Sequence, residues 1–275
     1  MSYLLFDVLF LGLPVALMLL WAGRLPARLT GATAALAVVA LVWTAPWDEH
    51  LVRSGVWSYG GDRVLARLGS VPAEEYLFVV LEVLLIASWG HLLHRLHPRT
   101  TPSSPTVLLA ASATRRRGAA ALIAVLALGA ALLVAGGPYR YLGLLLVWVA
   151  PPMLLQRAVA GDLLRARLAD RALIALPVAL WLCAADRLAL ADGIWSIAPA
   201  SSTGVLLLGL PIEEGLFFVL TCVLVTDGLV LATDERAVAR AGALLRRRPT
   251  AGTATSRPSA PRSAPAASLP GRTSR

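Results

Sequence analysis

The sequence predicts an all-α, polytopic membrane protein of about seven transmembrane helices, arranged as two parallel three-helix repeats joined by a linking helix. The first observation is composition. Of 275 residues, 57% are hydrophobic and the mean hydropathy is +0.71, which is too apolar for a soluble globular domain. The second is a series of apolar stretches long enough to cross a bilayer. The third is a pattern of acidic, aromatic and proline residues that occurs twice.

The apolar stretches and the segments between them divide the chain. Seven such stretches lie at about 3–21, 31–47, 72–91, 119–136, 141–158, 171–187 and 205–231. Some of them are near the lower limit of roughly 17 residues for a spanning helix. Residues 250–275 are rich in Ser, Pro, Ala and Arg, a composition typical of disorder. We therefore expect a first repeat (1–93), a basic loop with the linking helix (94–137), a second repeat (138–232) and a basic disordered tail (233–275).

The arginines predict the orientation of the chain in the membrane. All 25 basic residues are Arg, and only five of them fall in the second, fourth and sixth loops: Arg53, Arg63, Arg67, Arg140 and Arg187. The positive-inside rule then places the N-terminus outside the cell membrane and the C-terminus in the cytoplasm. The basic tail suits this topology and attraction to anionic lipid. Because no aromatic residue alternates with its arginines, we expect no nucleic-acid binding.

Matching residues recur about 138 positions apart. Residues 55–58 read Gly-Val-Trp-Ser and residues 193–196 read Gly-Ile-Trp-Ser, and Asp48 and Asp186 each lie nine residues before the Trp of their copy. This offset spans four predicted helices, an even number, so both copies cross the membrane in the same direction. The sequence therefore predicts parallel repeats about an axis along the membrane normal.

Each copy carries Pro-x-Glu-Glu at the outer start of its third helix. The acids are Glu74 and Glu75 in the first copy, and Glu213 and Glu214 in the second. Acids at a helix N-terminus complement the dipole by about 0.3–1 kcal/mol, but their recurrence beside hydrocarbon, where ionised acids are costly, favours a functional role. Adjacent helical residues diverge by about 100°, so we expect one Glu of each pair to face a cavity and its neighbour to be held by a loop. A crowded, desolvated carboxyl is a candidate proton donor near neutral pH.

Aromatic residues accompany the acids. Phe78 and Phe217 each follow the first Glu of their pair by four residues, one turn deeper on the same helix face. An interfacial belt accounts for most Trp residues, whereas inward-facing rings stabilise a cation. The other candidate substrate-binding residues lie at the same outer level or deeper in the third helix: Trp57, Trp195, Tyr59, Tyr3, Tyr141, Asp7 and Glu82. Asp7 is also a candidate base.

The duplicated Pro-x-Glu-Glu-x-x-x-Phe pattern, with Gly-x-Trp-Ser upstream in each half, resembles the membrane-integral lycopene cyclases of bacteria, archaea and fungi. In that family the halves occur as separate subunits or fused, and the resemblance covers roughly residues 1–232. It implies a fused cyclase that closes rings at the linear ends of lycopene or a related C40 or C50 carotenoid taken from the bilayer. It also implies Glu74, Glu75, Glu213 and Glu214 as the catalytic set, no cofactor or metal, and contact with other membrane enzymes of carotenoid synthesis.

A small seven-helix lipid or solute transporter with parallel repeats is the alternative. Glu82, deep in the third helix with Thr221 as its repeat partner, fits a proton-coupling site. Sugar carriers of this shape need hydrogen-bonding groups at mid-membrane, however, and the chain has no Asn and its polar groups crowd the outer ends. The absence of Lys excludes a retinal Schiff base. The chain also lacks the Gly-x-Gly-x-x-Gly motif that would indicate a flavin-dependent enzyme.

Overall fold

The computed structural model describes residues 1–98 and 111–246 of the chain. The helices of this part are α1 (Tyr3–Asp7), α2 (Leu13–Ala22), α3 (Ala27–Arg53), α4 (Ala73–Leu96), α5 (Ala111–Ala135), α6 (Arg140–Ala166), α7 (Leu168–Asp192), α8 (Ile212–Thr233) and α9 (Glu235–Arg246). A π-helical turn, Val8–Gly12, joins α1 and α2 into one continuous segment. Seven segments in the described ranges are long and apolar enough to cross a membrane, which confirms the predicted all-α polytopic class.

Most observed helices extend beyond the apolar stretches that predicted them, because their ends carry charged residues. The seventh stretch is the exception, since it was predicted to begin at residue 205 and α8 begins at Ile212. Its first residues instead form a hairpin of strands β5 (Leu206–Leu207) and β6 (Leu210–Pro211). The turn between them contains Leu208 and Gly209, with φ of 53° and 81°. The uniformly apolar composition of this hairpin conceals the turn.

The predicted disorder from residue 233 onward is wrong for the first part of the tail, which forms α9. Asp234 begins this helix, because its Oδ1 accepts hydrogen bonds from the backbone N–H groups of Arg236 and Ala237 at 2.9 and 3.2 Å. Arg240 then anchors the helix by an ion pair with the buried Asp162 of α6, at 2.8 Å. Residues 250–275, also predicted to be disordered, lie outside the described residues.

Short strands organise the loops that precede α4 and α8. Strands β2 (Arg67–Leu68) and β3 (Val71–Pro72) form a hairpin directly before α4, as β5 and β6 do before α8. Strands β1 (Trp57–Tyr59) and β4 (Trp195–Ile197) pair antiparallel and join the loops of the two halves. In this pairing Ser58 lies opposite Ser196, and their hydroxyl oxygens are 2.9 Å apart. The N-terminal ends of α4 and α8 are thereby held under one set of loops.

The helices differ strongly in how far they are buried. In the most apolar segment of α4, 67% of the residues are buried, whereas in that of α5 only 6% are. Helix α4 is therefore central, and α5, the linking helix, is peripheral. Helix α5 packs closely on α6 at two glycines. A Cβ atom added to Gly143 would lie 3.0 Å from the carbonyl oxygen of Gly129, so a larger residue there would push the two helices apart.

Arginines neutralise the buried acids at the end of the bundle opposite the two hairpins. Asp227 of α8 forms ion pairs with Arg171 and, at 3.0 Å, with Arg157. Asp162 pairs with Arg115 at 3.3 Å as well as with Arg240. Buried charges require such partners. These ion pairs connect the ends of helices α5, α6, α7, α8 and α9 and therefore stabilise the fold.

Candidate active site

A second set of buried acids, toward the end of the bundle where the hairpins precede α4 and α8, has no cationic partner. Within the described ranges, none of these carboxyls lies within 4.0 Å of an arginine, a histidine or the N-terminus: Asp7, Asp48, Glu74, Glu75, Glu82, Asp186, Glu213 and Glu214. All are at most 7% exposed. An ionised carboxylate is very costly in such surroundings. These acids therefore do not hold helices together by charge, and their roles follow from their hydrogen-bond partners.

The first acid of each Pro-x-Glu-Glu pair is held by the preceding loop. Glu74 Oε1 accepts a hydrogen bond from the backbone N–H of Leu65 at 2.6 Å. Glu213 Oε1 accepts from the backbone N–H and the hydroxyl of Thr203, both at 2.7 Å. Leu65 and Thr203 occupy equivalent places in the two copies. Glu74 and Glu213 therefore fix their loops to the starts of α4 and α8.

The second acid of each pair turns inward and meets tyrosine hydroxyls. Glu75 Oε2 accepts hydrogen bonds from Tyr3 and Tyr59, each at 2.8 Å. Glu214 Oε1 accepts one from Tyr141 at 2.6 Å. This is the division between neighbouring acids that their angular separation on a helix predicts.

Burial raises the pKa of Tyr59, the one of these phenols that lies outside the spanning segments, well above its usual value, and the nearby Glu75 raises it further. Tyr59 thus remains a hydrogen-bond donor to Glu75.

The inward acids share one cavity of about 30 Å³. Both halves of the chain contribute to its lining, which consists of Tyr3, Trp57, Tyr59, Glu75, Phe78, Asp186, Trp195, Glu214, Phe217 and Phe218. Most of its wall is aromatic. Carboxyls and π faces are the groups that deliver a proton to an apolar molecule and stabilise the resulting cation.

The rings around the cavity pack against one another. Tyr3 stacks on Tyr59 with centroids 6.0 Å apart and lies 5.0 Å from Trp195. On the other side, Trp57 meets Phe217 edge to face at 6.0 Å. Packing of this kind fixes the ring orientations. The inward position of Trp57 and Trp195 separates them from a lipid-facing belt.

Trp43 and Trp181, by contrast, are 42% and 45% exposed. These two are typical of the interfacial belt that the sequence also predicts.

Three of the predicted substrate-binding residues do not line this cavity. Tyr141 contacts it indirectly through Glu214. Asp7 is fully buried directly before the π-helical turn, and neither of its oxygens has a hydrogen-bond partner among the described residues. Glu82 lies two turns below Glu75 on α4 and accepts a hydrogen bond from Thr221 at 2.7 Å.

Two cavity residues were missed from the sequence. In the sequence Asp186 stands out only as a repeat position, although a carboxyl within an apolar stretch is itself a signal of function. It accepts a hydrogen bond from the indole N–H of Trp195 at 2.8 Å and lines the cavity together with Glu214. Phe218 lies next to Phe217, and its apolar side chain gives no signal that distinguishes it from core.

Fold and site together define a polytopic membrane protein that gathers acids from two chain halves around one aromatic cavity. A family model described as lycopene cyclase matches residues 1–92 and 138–227. The chain belongs to the lycopene cyclase family.

Curated relatives include a lycopene beta-cyclase of Halobacterium salinarum, 43% identical over 234 residues, which cover 84% of this chain and 95% of that protein. A bifunctional lycopene cyclase/phytoene synthase of Arthroderma gypseum is 33% identical over 217 residues, 74% of this chain and 36% of that protein. A protein with the same description from Podospora anserina is 33% identical over 210 residues, 74% of this chain and 35% of that protein. No solved structure matches the chain.

Proposed function

We propose that this chain converts the linear ends of lycopene, or of a related C40 or C50 carotenoid, into six-membered rings by acid–base chemistry. The observation that carries the proposal is that Glu75 and Glu214, from α4 and α8, face a single aromatic cavity. Family membership and the 43% identity to a lycopene beta-cyclase support a carotenoid substrate and a β ring.

The reaction begins with a proton. Glu214 and Asp186 both line the cavity, and we infer that they share one proton because a second negative charge close to the first is unfavourable. We assign this pair as the acid. It donates H⁺ to C2 of the terminal C1=C2 bond, and the positive charge then resides on the tertiary carbon C1.

Ring closure moves the charge, and a second carboxyl removes it. The electron pair of the C5=C6 bond attacks C1, which forms the C1–C6 bond and leaves the cation at C5. Glu75 is the base in our assignment, because its two phenol donors stabilise a carboxylate. Loss of the proton from C6 gives the β ring, and one proton enters for each that leaves, so the reaction is an isomerisation without redox. Between turnovers a proton returns from Glu75 to the acid pair across the cavity that they share.

The aromatic wall stabilises the intermediate. An aromatic face beside a desolvated cation contributes about 2 kcal/mol or more, and Trp57, Phe217 and Trp195 all line the cavity. The phenyl and indole faces of this wall offer no strongly nucleophilic atom that would capture the cation. Exclusion of water by the same rings strengthens each electrostatic interaction inside.

We further infer that the two halves are related by a pseudo-two-fold axis along the membrane normal. Residues at equivalent positions touch each other in two places, which happens only near such an axis. Ser58 meets Ser196 at 2.9 Å, and Glu82 meets Thr221 at 2.7 Å. The axis passes between α4 and α8, so the active site is composite, and neither repeat is complete without the other.

In our proposal the hairpins and acids lie at the outer boundary, with the N-terminus outside and the C-terminus in the cytoplasm. The distribution of arginines supports this orientation, since the paired Asp162 and Asp227 and the basic α9 belong to the opposite end. The hydrocarbon substrate enters from the bilayer.

Expression in cells that accumulate lycopene tests the function directly. We expect cyclic carotenoids to appear in the extracted pigments, and washed membranes treated with a chelator to retain the activity. The double variant Glu75→Gln/Glu214→Gln is the matched control and should leave lycopene unchanged. Cells that express folded wild-type protein and still contain only lycopene would refute the proposal.

A further inference from the structure

A groove opens at the lipid-facing surface of the protein beside the catalytic cavity. It has a volume of about 110 Å³ and lies between α3, α4, α6 and α8. Val39 and Trp43 of α3 form its outer rim and are 60% and 42% exposed. We refer to this feature as the Glu75 groove, because Glu75 is part of its inner wall.

The Glu75 groove adjoins the catalytic cavity. Glu75, Phe78 and Phe217 line both of them. At about 30 Å³ the cavity is too small to hold the end of a carotenoid by itself, so the reacting end must also occupy space on the groove side of these residues. A chain that enters through the groove passes Glu75 before it meets Glu214, which does not line the groove.

The repeat provides a second groove for comparison. It lies between α2, α4 and α7, has a volume of about 400 Å³, and is lined by Pro14 and Trp181, the repeat equivalents of Pro152 and Trp43 in the Glu75 groove. Despite its larger size, none of its lining residues in the described ranges belongs to the catalytic cavity. The two copies have therefore diverged, and of these two grooves only the Glu75 groove shares described lining residues with the catalytic cavity.

Sequence differences between the copies account for part of this divergence. Glu82 and Gln156 line the Glu75 groove, whereas the equivalent residues are Thr221 and Met18. Met18 lines the second groove, which has no acid or amide side chain among its described lining residues.

We propose that the Glu75 groove is the substrate passage, which holds the polyene of a linear carotenoid while one end reacts and the other remains in the bilayer. The proposal rests on the cyclase function proposed above. Its occupant follows from the three wall residues that it shares with the catalytic cavity and from the largely apolar wall, which suits a hydrocarbon. It assigns the order of groups along the substrate: the terminal C1=C2 bond goes deepest, toward Glu214 and Asp186, and the base Glu75 lies at the entrance. One passage admits one end at a time, so a carotenoid with one ring is released before the second ring forms.

Two tryptophan substitutions at matched rim positions test the passage. Val39→Trp places an indole at the rim of the Glu75 groove, and Leu17→Trp places one at the rim of the second groove. The two residues are 60% and 56% exposed, so both changes are on the lipid-facing side. In lycopene-loaded membranes we expect Val39→Trp to lower the initial rate at least about tenfold by overfilling the passage, and Leu17→Trp to leave it within about twofold.

A binding measurement separates this proposal from the function on which it rests. The Glu75→Gln protein is purified in detergent from lycopene-containing cells, with and without each Trp substitution, and bound pigment is measured by its visible absorption. Val39→Trp should reduce bound lycopene and Leu17→Trp should not. If Val39→Trp does not fold, Ala40→Leu in the same groove replaces it with the same expectation.

Equal rates and equal pigment in the two rim variants, or a loss confined to Leu17→Trp, would overturn the passage. Absence of conversion by folded wild-type protein would instead overturn the cyclase function, and the pigment comparison would still decide whether the groove binds a carotenoid.

Discussion

The substitution Glu75→Gln isolates proton transfer from binding at the candidate site. Glu75 accepts hydrogen bonds from Tyr3 and Tyr59, both at 2.8 Å. The amide oxygen of Gln accepts the same two bonds, and its side chain has nearly the same volume. The tyrosines and the aromatic wall therefore keep their places, while the group that receives the ring proton is lost.

The expected size of the effect follows from the role assigned to Glu75. General acid–base catalysis by one positioned group contributes about 10²–10⁴-fold to a rate, which corresponds to about 2.7–5.4 kcal/mol of activation free energy. The buried amide N–H group adds an unsatisfied donor that costs about 1–3 kcal/mol of stability. We therefore expect turnover to fall by at least about 10²-fold, with a modest loss of thermal stability.

The neighbouring Glu74→Gln is the matched control. Glu74 is the same residue type, one position earlier in the same helical turn, but it bonds to the N–H of Leu65 in the loop rather than to the cavity. Gln preserves that acceptor, so turnover should remain within about tenfold of wild type. The assay is the initial rate of cyclic carotenoid formation in lycopene-loaded membranes, with protein amount measured in parallel. Wild-type turnover by Glu75→Gln, or equal losses in the two variants, would refute the separate roles assigned to these acids.

Three further predictions follow from the structure. Tyr59→Phe removes one of the two donors to Glu75. Since a hydrogen bond to a charged group contributes about 1.5–3 kcal/mol, turnover should fall at least about tenfold. The hydroxyl of Tyr76 is exposed, so the control Tyr76→Phe should have no effect on the rate. Arg171→Leu breaks a buried pair with Asp227 and should cost about 3–5 kcal/mol, seen as a lower unfolding temperature in detergent; an unchanged temperature contradicts the structural role of that pair. Fragments 1–104 and 105–275 should each be inactive when expressed alone and recover cyclisation when co-expressed, and full activity of one fragment would contradict the composite site.

Much of the fold could be predicted because the bilayer imposes a simple rule on sequence. A spanning helix must be apolar over its length, and the seven spans are visible for that reason. The rule fails where an apolar segment is not helical, as in the hairpin 206–211. It also fails at polar ends. Helix α9 forms through a cap by Asp234 and an ion pair to Asp162, which is distant in sequence.

The sequence predicts only those site residues that occur in both copies of the repeat. Duplication draws attention to Glu75 and Glu214, and helix geometry then separates them from their neighbours. No sequence pattern shows that Asp186 lies beside Glu214, since residues from α7 and α8 meet only in the folded chain. The connection between Glu75 and the groove between α3, α4, α6 and α8 is likewise a property of packing.

Duplication explains why two equivalent acids face one cavity, and divergence explains how they take different roles. Two identical carboxyls related by an axis would have the same tendency to hold a proton, whereas a cyclase needs one that gives and one that takes. The copies differ at that point: Glu75 has a second phenol donor in Tyr59, where the other copy has Ile197. Glu214 has a single phenol donor, Tyr141, and lines the cavity together with Asp186. Phenol donors stabilise a carboxylate, and Glu75 has two of them where Glu214 has one. We infer that this difference, rather than either Glu alone, sets the direction in which the proton crosses the cavity.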